Sequence, residues 1–82
     1  MDHALYEKYR RQYLQEAMVG ANRSPAEIYR ALVELPRPGR FTFHREEKAR
    51  ALRDLLAAFE DHRHWPLDII LSHLGLEDGP SA

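Results

Sequence analysis

Cysteine is absent from this sequence, and so are long apolar runs. Without a single thiol in its 82 residues, the chain has no disulfide, no thiolate metal ligand and no cysteine nucleophile. Its apolar stretches are short, and its N-terminal stretch carries charges where a secretory signal needs an unbroken apolar segment. From these absences we expect a cytoplasmic protein that does not enter a membrane.

Size and composition favour one globular domain. Hydrophobic residues make up 44% of the chain and charged residues 30%, a balance typical of folded proteins rather than disordered or membrane-spanning ones. A chain of 82 residues has enough apolar surface for one compact core and not for two. We therefore expect a single helical domain over residues 1–76 and a frayed C-terminal tail over residues 77–82.

The spacing of apolar residues predicts an all-α fold. Apolar side chains recur at intervals of three and four in four segments, which is the period of an amphipathic helix. The predicted helices span about residues 3–19, 25–35, 43–63 and 66–74. A loop rich in proline and glycine separates the second and third helices at residues 36–42, with a short extended piece expected over residues 41–43.

Capping residues support these boundaries. Asp2 is placed to cap the first helix, and Thr42 the third. Ser24 precedes a proline and lies three residues before Glu27, the pattern of a capping box. Gly75 followed by an apolar residue is typical of a Schellman motif at the end of the fourth helix.

No group of residues predicts catalysis or metal binding. Ser24 is better explained as a helix cap than as a nucleophile. His62 and His64 are two residues apart and point in nearly opposite directions on a helix, so they do not converge on a metal. We interpret His62 as a charge at a helix C-terminus and Trp65 as a core residue between the last two helices. We expect no enzymatic activity, no cofactor and no small-molecule substrate.

The first two helices carry more apolar surface than four short helices can cover. The tyrosines of the first helix, Tyr6, Tyr9 and Tyr13, lie on one face and are expected to pack in the core. Other apolar side chains widen this face, and the second helix repeats the excess. The candidate partner or dimer interface consists of Leu5, Leu14, Met18, Tyr29 and Val33.

Residues 37–53 form a cationic segment in a chain of net charge -1. Arg50 has Glu46 and Asp54 one helical turn away on either side and is expected to pair with them. Five cations lack such partners and form a candidate partner-binding patch: Arg37, Arg40, Arg45, Lys48 and Arg53. They either face solvent and the acidic C-terminal half of the chain, or bind phosphate or carboxylate groups.

These features favour a small protein-protein interaction module, an adaptor or regulator that acts alone or as a homodimer. The alternative is a DNA-binding regulator of the helix-turn-helix or winged-helix type, with residues 25–35 as recognition helix and residues 37–43 as wing. Glu27 and Glu34 on that helix would repel phosphates, and a pI near 6.5 lacks the basic character usual in such proteins. The sequence therefore favours a protein partner over nucleic acid.

Overall fold

The computed structural model describes residues 1–20 and 24–76, which form four α-helices and no strand. The helices are α1 (His3–Met18), α2 (Pro25–Glu34), α3 (Arg45–Asp61) and α4 (Leu67–Leu74). The predicted all-α four-helix fold is confirmed, and each helix boundary differs from its predicted position by at most two residues. The prediction of a frayed tail at residues 77–82 lies outside the described residues.

Helix α3 is the element on which the others pack. Helices α1, α2 and α3 contact one another in all three pairs, and α4 packs against α3. Each helix contributes apolar side chains to one shared core, which forms because burying them removes apolar surface from water. The buried core residues are Leu14, Ala17, Ile28, Leu32, Leu52, Leu55, Phe59, Ile70 and Leu76.

The predicted helix starts of α1 and α2 are confirmed. The Asp2 carboxylate accepts hydrogen bonds from the backbone N–H groups of Ala4 at 2.9 Å and Leu5 at 3.3 Å. The Ser24 hydroxyl accepts one from the Glu27 N–H at 3.2 Å and contacts the Glu27 carboxylate at 3.3 Å. These contacts satisfy N–H groups that have no partner within the first turn of a helix.

The end of α4 is a Schellman motif, as predicted. Gly75 has a φ of 73°, a left-handed conformation that suits glycine because it has no Cβ. Its N–H donates to the Ser72 carbonyl at 3.0 Å, and the Leu76 N–H donates to the Leu71 carbonyl at 2.8 Å. The turn brings Leu76 back into the core, where it covers the end of the bundle.

The predicted cap of α3 is wrong. Thr42 does not cap the helix: its backbone N–H closes a turn by donating to the Gly39 carbonyl at 3.1 Å. The N-cap is His44, which has a left-handed φ of 57° and makes no side-chain capping bond. Residues 41–43 form turns rather than the extended piece we predicted. The local alternation of apolar and polar residues indicated a strand, but no neighbouring strand is present among the described residues to pair with it.

Trp65 was predicted to be a core residue, and this is wrong. Its side chain is 38% exposed. The turn after α3 closes with a hydrogen bond from the Trp65 N–H to the His62 carbonyl at 2.8 Å. The indole stacks on the His62 imidazole, with ring centroids 3.9 Å apart. Ile70 and Leu76 occupy the core at this end of the bundle, so Trp65 lies over the junction of α3 and α4 at the surface.

Replacing Ser24 with alanine tests the capping bond. We expect Ser24→Ala to lower the free energy of unfolding by about 1 kcal/mol, because the Glu27 N–H loses its acceptor. Ser72→Ala is the matched control, since Ser72 lies exposed within α4 and caps no helix N-terminus. Urea unfolding measures both variants. Equal stability of Ser24→Ala and the wild type would contradict the capping role.

Candidate functional site

Polar contacts between α1 and α3 engage two of the acidic side chains of α3. The backbone N–H of Asp2 donates to Oε2 of Glu47 at 2.8 Å, and Glu47 is buried. This hydrogen bond lowers the pKa of the Glu47 carboxyl below its usual value. Further along α3, the Tyr6 hydroxyl donates to the Asp54 carboxylate. Glu47 therefore contacts the N-cap of α1, and Asp54 contacts α1 itself while also lying 3.4 Å from the Arg53 guanidinium.

The Tyr6 hydroxyl is the donor in the second of these contacts. Burial, together with the hydrogen bond to Asp54, raises the pKa of Tyr6 to about 12 from an ordinary value of 10.0. The folded state thus favours the protonated phenol, which donates its hydrogen to the carboxylate. At neutral pH the phenol is protonated, so this hydrogen bond between α1 and α3 is intact.

On the far side of α3, three of the predicted cations line one groove. We call this the cationic groove; its volume is about 340 Å³ and it lies between α3 and the loop that follows α2. The charged lining residues are Arg37 from the loop and Arg45 and Arg53 from α3. The uncharged lining residues are Pro38, Ala49, Leu52 and Leu56. Within the described ranges, no acidic side chain lines the groove.

Each arginine is positioned by a different part of the fold. The Arg37 guanidinium donates to the Val33 and Leu35 carbonyls, both at 3.4 Å, at the C-terminal end of α2 where carbonyls lack helical partners. Arg45 is the first residue of α3. Arg53 contacts the carboxylate of its neighbour Asp54 at 3.4 Å, in a pair that is open to solvent and therefore weak.

The remaining predicted cations do not line the groove. Arg40 is exposed on the loop. The Lys48 ammonium lies 5.1 Å from the centre of the Tyr9 ring, in a cation–π contact with α1. The prediction that Arg50 pairs with Glu46 and Asp54 is wrong, since Arg50 forms no ion pair among the described residues. Asp54 instead contacts Tyr6 and Arg53, so its carboxylate is turned away from Arg50.

The loop also exposes two aromatic side chains that we did not single out from the sequence. Phe41 is 92% exposed and Phe43 is 77% exposed. Phe43 packs along the neighbouring His44 ring, at a centroid distance of 4.0 Å. Their spacing indicated a short strand, and a strand pattern does not reveal whether either face is covered. The sequence feature that could have identified them as exposed is their position between a proline-glycine turn and the charged start of α3.

The predicted apolar interface is not one continuous surface. Leu14 is only 6% exposed and belongs to the core, so its assignment to a surface is corrected. Leu14 belongs to the same core cluster as Ile70 of α4 and Leu76, so tertiary packing buries a side chain that looked surplus on α1 alone. Met18 and Tyr29 are half-buried against the core, Leu5 is half-buried on α1, and Val33 is 44% exposed.

These apolar residues line two separate grooves. Leu14 and Met18 line a groove of about 590 Å³ with Leu71 and Leu76. Tyr29 and Val33 line another, smaller groove on α2. Within the described residues, these side chains therefore line two separate apolar surfaces, whereas helical angles predicted a single broad one.

Three aromatic rings meet where α3 joins α4. His73 lies edge-on to both His62 and Trp65, at centroid distances of 5.0 and 5.6 Å. In the part of the chain that the structure describes, no three histidine, aspartate or glutamate side chains come together as ligands for a metal ion. The junction is thus an aromatic cluster whose third ring, that of His73, is exposed.

Comparison with protein-family models, with curated proteins and with solved structures found no match to this chain. Across residues 1–20 and 24–76, no helix has the length and apolar character needed to cross a membrane. The basis for assigning a function is therefore the geometry of the loop and α3, where a cationic groove lies beside two exposed phenylalanines.

Replacing Tyr6 with phenylalanine tests the contact with Asp54. We expect Tyr6→Phe to lower the free energy of unfolding by about 1 kcal/mol at neutral pH, because a hydrogen bond to a charged acceptor is lost. The folded phenol keeps its proton to about pH 12, while the unfolded phenol loses it near pH 10. The contribution is therefore complete below pH 10 and is lost as the pH rises towards 12.

Urea unfolding at about pH 8 and about pH 11.5 measures this difference between wild type and variant. Tyr29→Phe is the control, since its hydroxyl forms no hydrogen bond with the described residues. We expect the stability gap between wild type and Tyr6→Phe to narrow at the higher pH. A gap that is constant across this range would show that the contribution of the Tyr6 hydroxyl does not depend on its protonation, which would contradict the raised pKa.

Glutamate substitutions separate core residues from surface residues on α1 and α2. Met18→Glu should lower the free energy of unfolding by about 2 kcal/mol, because it brings a charge against the core. Val33→Glu should change it by less than about 0.5 kcal/mol, because the side chain can remain in solvent. Thermal and urea unfolding measure both. An equal loss in the two variants would place Val33 in the core as well.

Proposed function

We propose that this protein is a non-enzymatic interaction module that binds an acidic partner protein. The binding surface is the loop–α3 face, which we define as Phe41, Phe43, Arg40 and the cationic groove. The observation that carries the proposal is the near-complete exposure of both phenylalanine rings. Aromatic and arginine side chains are the residue types most enriched in protein interfaces, and here the two occur together.

A partner protein that covers the two exposed rings gains binding free energy, because it removes apolar surface from water. Covering a phenylalanine side chain is worth about 1.5–3 kcal/mol relative to leaving it in water. The loop that presents the rings is restricted by Pro36, Pro38 and the turn between Gly39 and Thr42. Because the loop is already ordered in this way, binding costs less conformational entropy than it would for a flexible segment.

Charge complementarity indicates the kind of partner. Glu47 is bonded to Asp2, and Asp54 is bonded to Tyr6, so neither carboxylate neutralises the loop. Glu46 is the exposed acidic residue that remains near the start of α3. An acidic surface meeting this face would be attracted by several arginines, which raises the association rate and excludes basic partners.

The DNA-binding alternative finds less support in the geometry of α2. Ile28 and Leu32 are buried, and the exposed positions of this helix include Arg30, Val33 and Glu34. One cation beside one acid does not make a surface that attracts phosphates or reads bases. Four arginines, Arg37, Arg40, Arg45 and Arg53, lie instead on the loop–α3 face.

Site-specific photocrosslinking tests the proposal. The crosslinker p-benzoylphenylalanine replaces Phe41 or Phe43, and the protein is irradiated in the cells that naturally make it. Gln12, exposed on α1, is the control position. We expect a discrete protein adduct from the two loop positions and none from Gln12. Adducts that are the same at all three positions, or that contain nucleic acid or only a second copy of the chain, would contradict the proposal.

A matched variant shows whether the rings act in binding rather than in folding. We expect Phe41→Ser to change the free energy of unfolding by less than about 0.5 kcal/mol, because the ring makes almost no contact with the fold. The same substitution should reduce the adduct formed from position 43. If it unfolded the protein, the ring would have a structural role and the proposal would lose its main support.

A further inference from the structure

We propose that the cationic groove is a binding site for a phosphate monoester carried on an aromatic ring, presented by a phosphorylated tyrosine of the partner protein. The inference that a protein carries the phosphate rests on the proposed function, which assumes a protein partner. The existence of the anion site rests on the groove alone. Three features of the groove support the assignment: the spacing of its arginines, its net charge and its apolar floor.

The spacing of the α3 residues leaves room for a ligand between two guanidinium groups. Arg45, Ala49 and Arg53 follow one another at intervals of four residues, so they lie in one row along the helix surface. The two arginines are about 12 Å apart along the helix axis. The small side chain of Ala49 lies between them and leaves a gap, and Arg37 closes the groove from the loop side.

The charge of the groove favours a dianion. Three guanidinium groups line it, and the described residues supply no carboxylate to the lining. Because Arg53 already contacts the Asp54 carboxylate, a monoanionic carboxylate would leave one positive charge unbalanced, whereas a dianionic phosphate monoester balances both of those that remain. Guanidinium groups also bind phosphate oxygens through paired hydrogen bonds, which a single ammonium group does not match.

Two of the arginines are placed so that they can donate to a ligand. The bonds of Arg37 to the Val33 and Leu35 carbonyls use one nitrogen, Nη1, and leave the other donors of the guanidinium free. The contact of Arg53 with Asp54 is long, at 3.4 Å, and solvent-exposed, so exchanging it for a phosphate costs little. The fold thus supplies donors that need little rearrangement.

The floor of the groove selects for an apolar body attached to the anion. The half-buried side chains of Pro38, Ala49 and Leu56 provide apolar surface beneath the arginines, with the buried Leu52 behind them. Inorganic phosphate would leave this surface uncovered, whereas an aromatic ring would cover it. The volume of about 340 Å³ lies at the lower end of the range for small-ligand sites, about 300–1,000 Å³. A single phosphorylated side chain suits a site of this size.

Titration of the full chain with four probes, followed by the backbone and arginine NMR signals, tests the site. The probes are N-acetyl-phosphotyrosine amide, N-acetyl-tyrosine amide, inorganic phosphate and adenosine monophosphate, all at matched ionic strength. We expect saturable binding of the phosphotyrosine probe with a dissociation constant below about 1 mM, and shifts confined to the groove. Each of the other probes should bind at least about tenfold more weakly.

Variants locate the binding in the groove. Arg45→Gln and Arg53→Gln should each weaken phosphotyrosine binding about tenfold, because each removes charge-assisted hydrogen bonds. Arg11→Gln is the matched control: it removes the same charge from an exposed position on α1 and should leave binding unchanged. Ala49→Leu keeps all three arginines and fills the gap, so it should also weaken binding. Circular dichroism verifies that each variant is folded.

Each other outcome overturns a specific part of the inference. Equal binding of inorganic phosphate would remove the role of the apolar floor, and tighter binding of adenosine monophosphate would replace the protein ligand by a nucleotide. Absence of saturable binding, or equal weakening by Arg11→Gln, would remove the site. Crosslinking from Phe41 and Phe43 does not depend on these results, so loss of this inference would leave the proposed function to its own test.

Discussion

The hydrogen bonds from α1 to Glu47 and Asp54 determine which side of α3 is acidic and which is cationic. They occur nearly two helical turns apart on α3, where α1 packs against it, and they hold both carboxylates in the interface. Arg45 forms no ion pair among the described residues, and Arg53 keeps only a long, solvent-exposed contact with Asp54. The charge separation across one helix therefore follows from contacts that also hold the first and third helices together.

This arrangement explains why a chain of net charge -1 presents a local cationic surface. Close like charges on a small domain are unfavourable to its stability, and here the acidic side chains relieve them only through the weak contact between Asp54 and Arg53. Two exposed phenylalanines in the same loop add a second unfavourable exposure. Both costs are recovered together when an acidic, partly apolar partner covers the loop–α3 face, which is the physical basis of the proposed function.

The sequence was sufficient to predict the helices, because their periodicity and caps are local properties. Asp2, Ser24 and Gly75 each act within a few residues of their own position, and each makes the predicted contact. Predictions that depended on tertiary packing were less accurate. Leu14 looked surplus on α1 alone, and the chain around α4 covers it; Trp65 looked like a core residue, and the turn before α4 places it at the surface.

In the candidate site, too, local features were predicted correctly and features that depend on tertiary packing were not. Charge counting along residues 37–53 identified Arg37, Arg45 and Arg53 as unmatched cations, but not that they line one groove. That grouping depends on how the loop returns to α3, a long-range contact with no local signature. The pairing predicted for Arg50 failed for a related reason, since helical spacing does not show that Asp54 is engaged by Tyr6 from another helix.

We propose that the loop–α3 face recognises a protein rather than a nucleic acid backbone. A fluorescence anisotropy titration of labelled duplex DNA at about 50 mM and about 200 mM salt tests it most directly, because phosphate contacts weaken steeply with salt. We predict weak binding at the lower concentration and none at the higher. Sub-micromolar binding at about 200 mM salt that is abolished by the double substitution Arg37→Glu and Arg40→Glu would contradict the account.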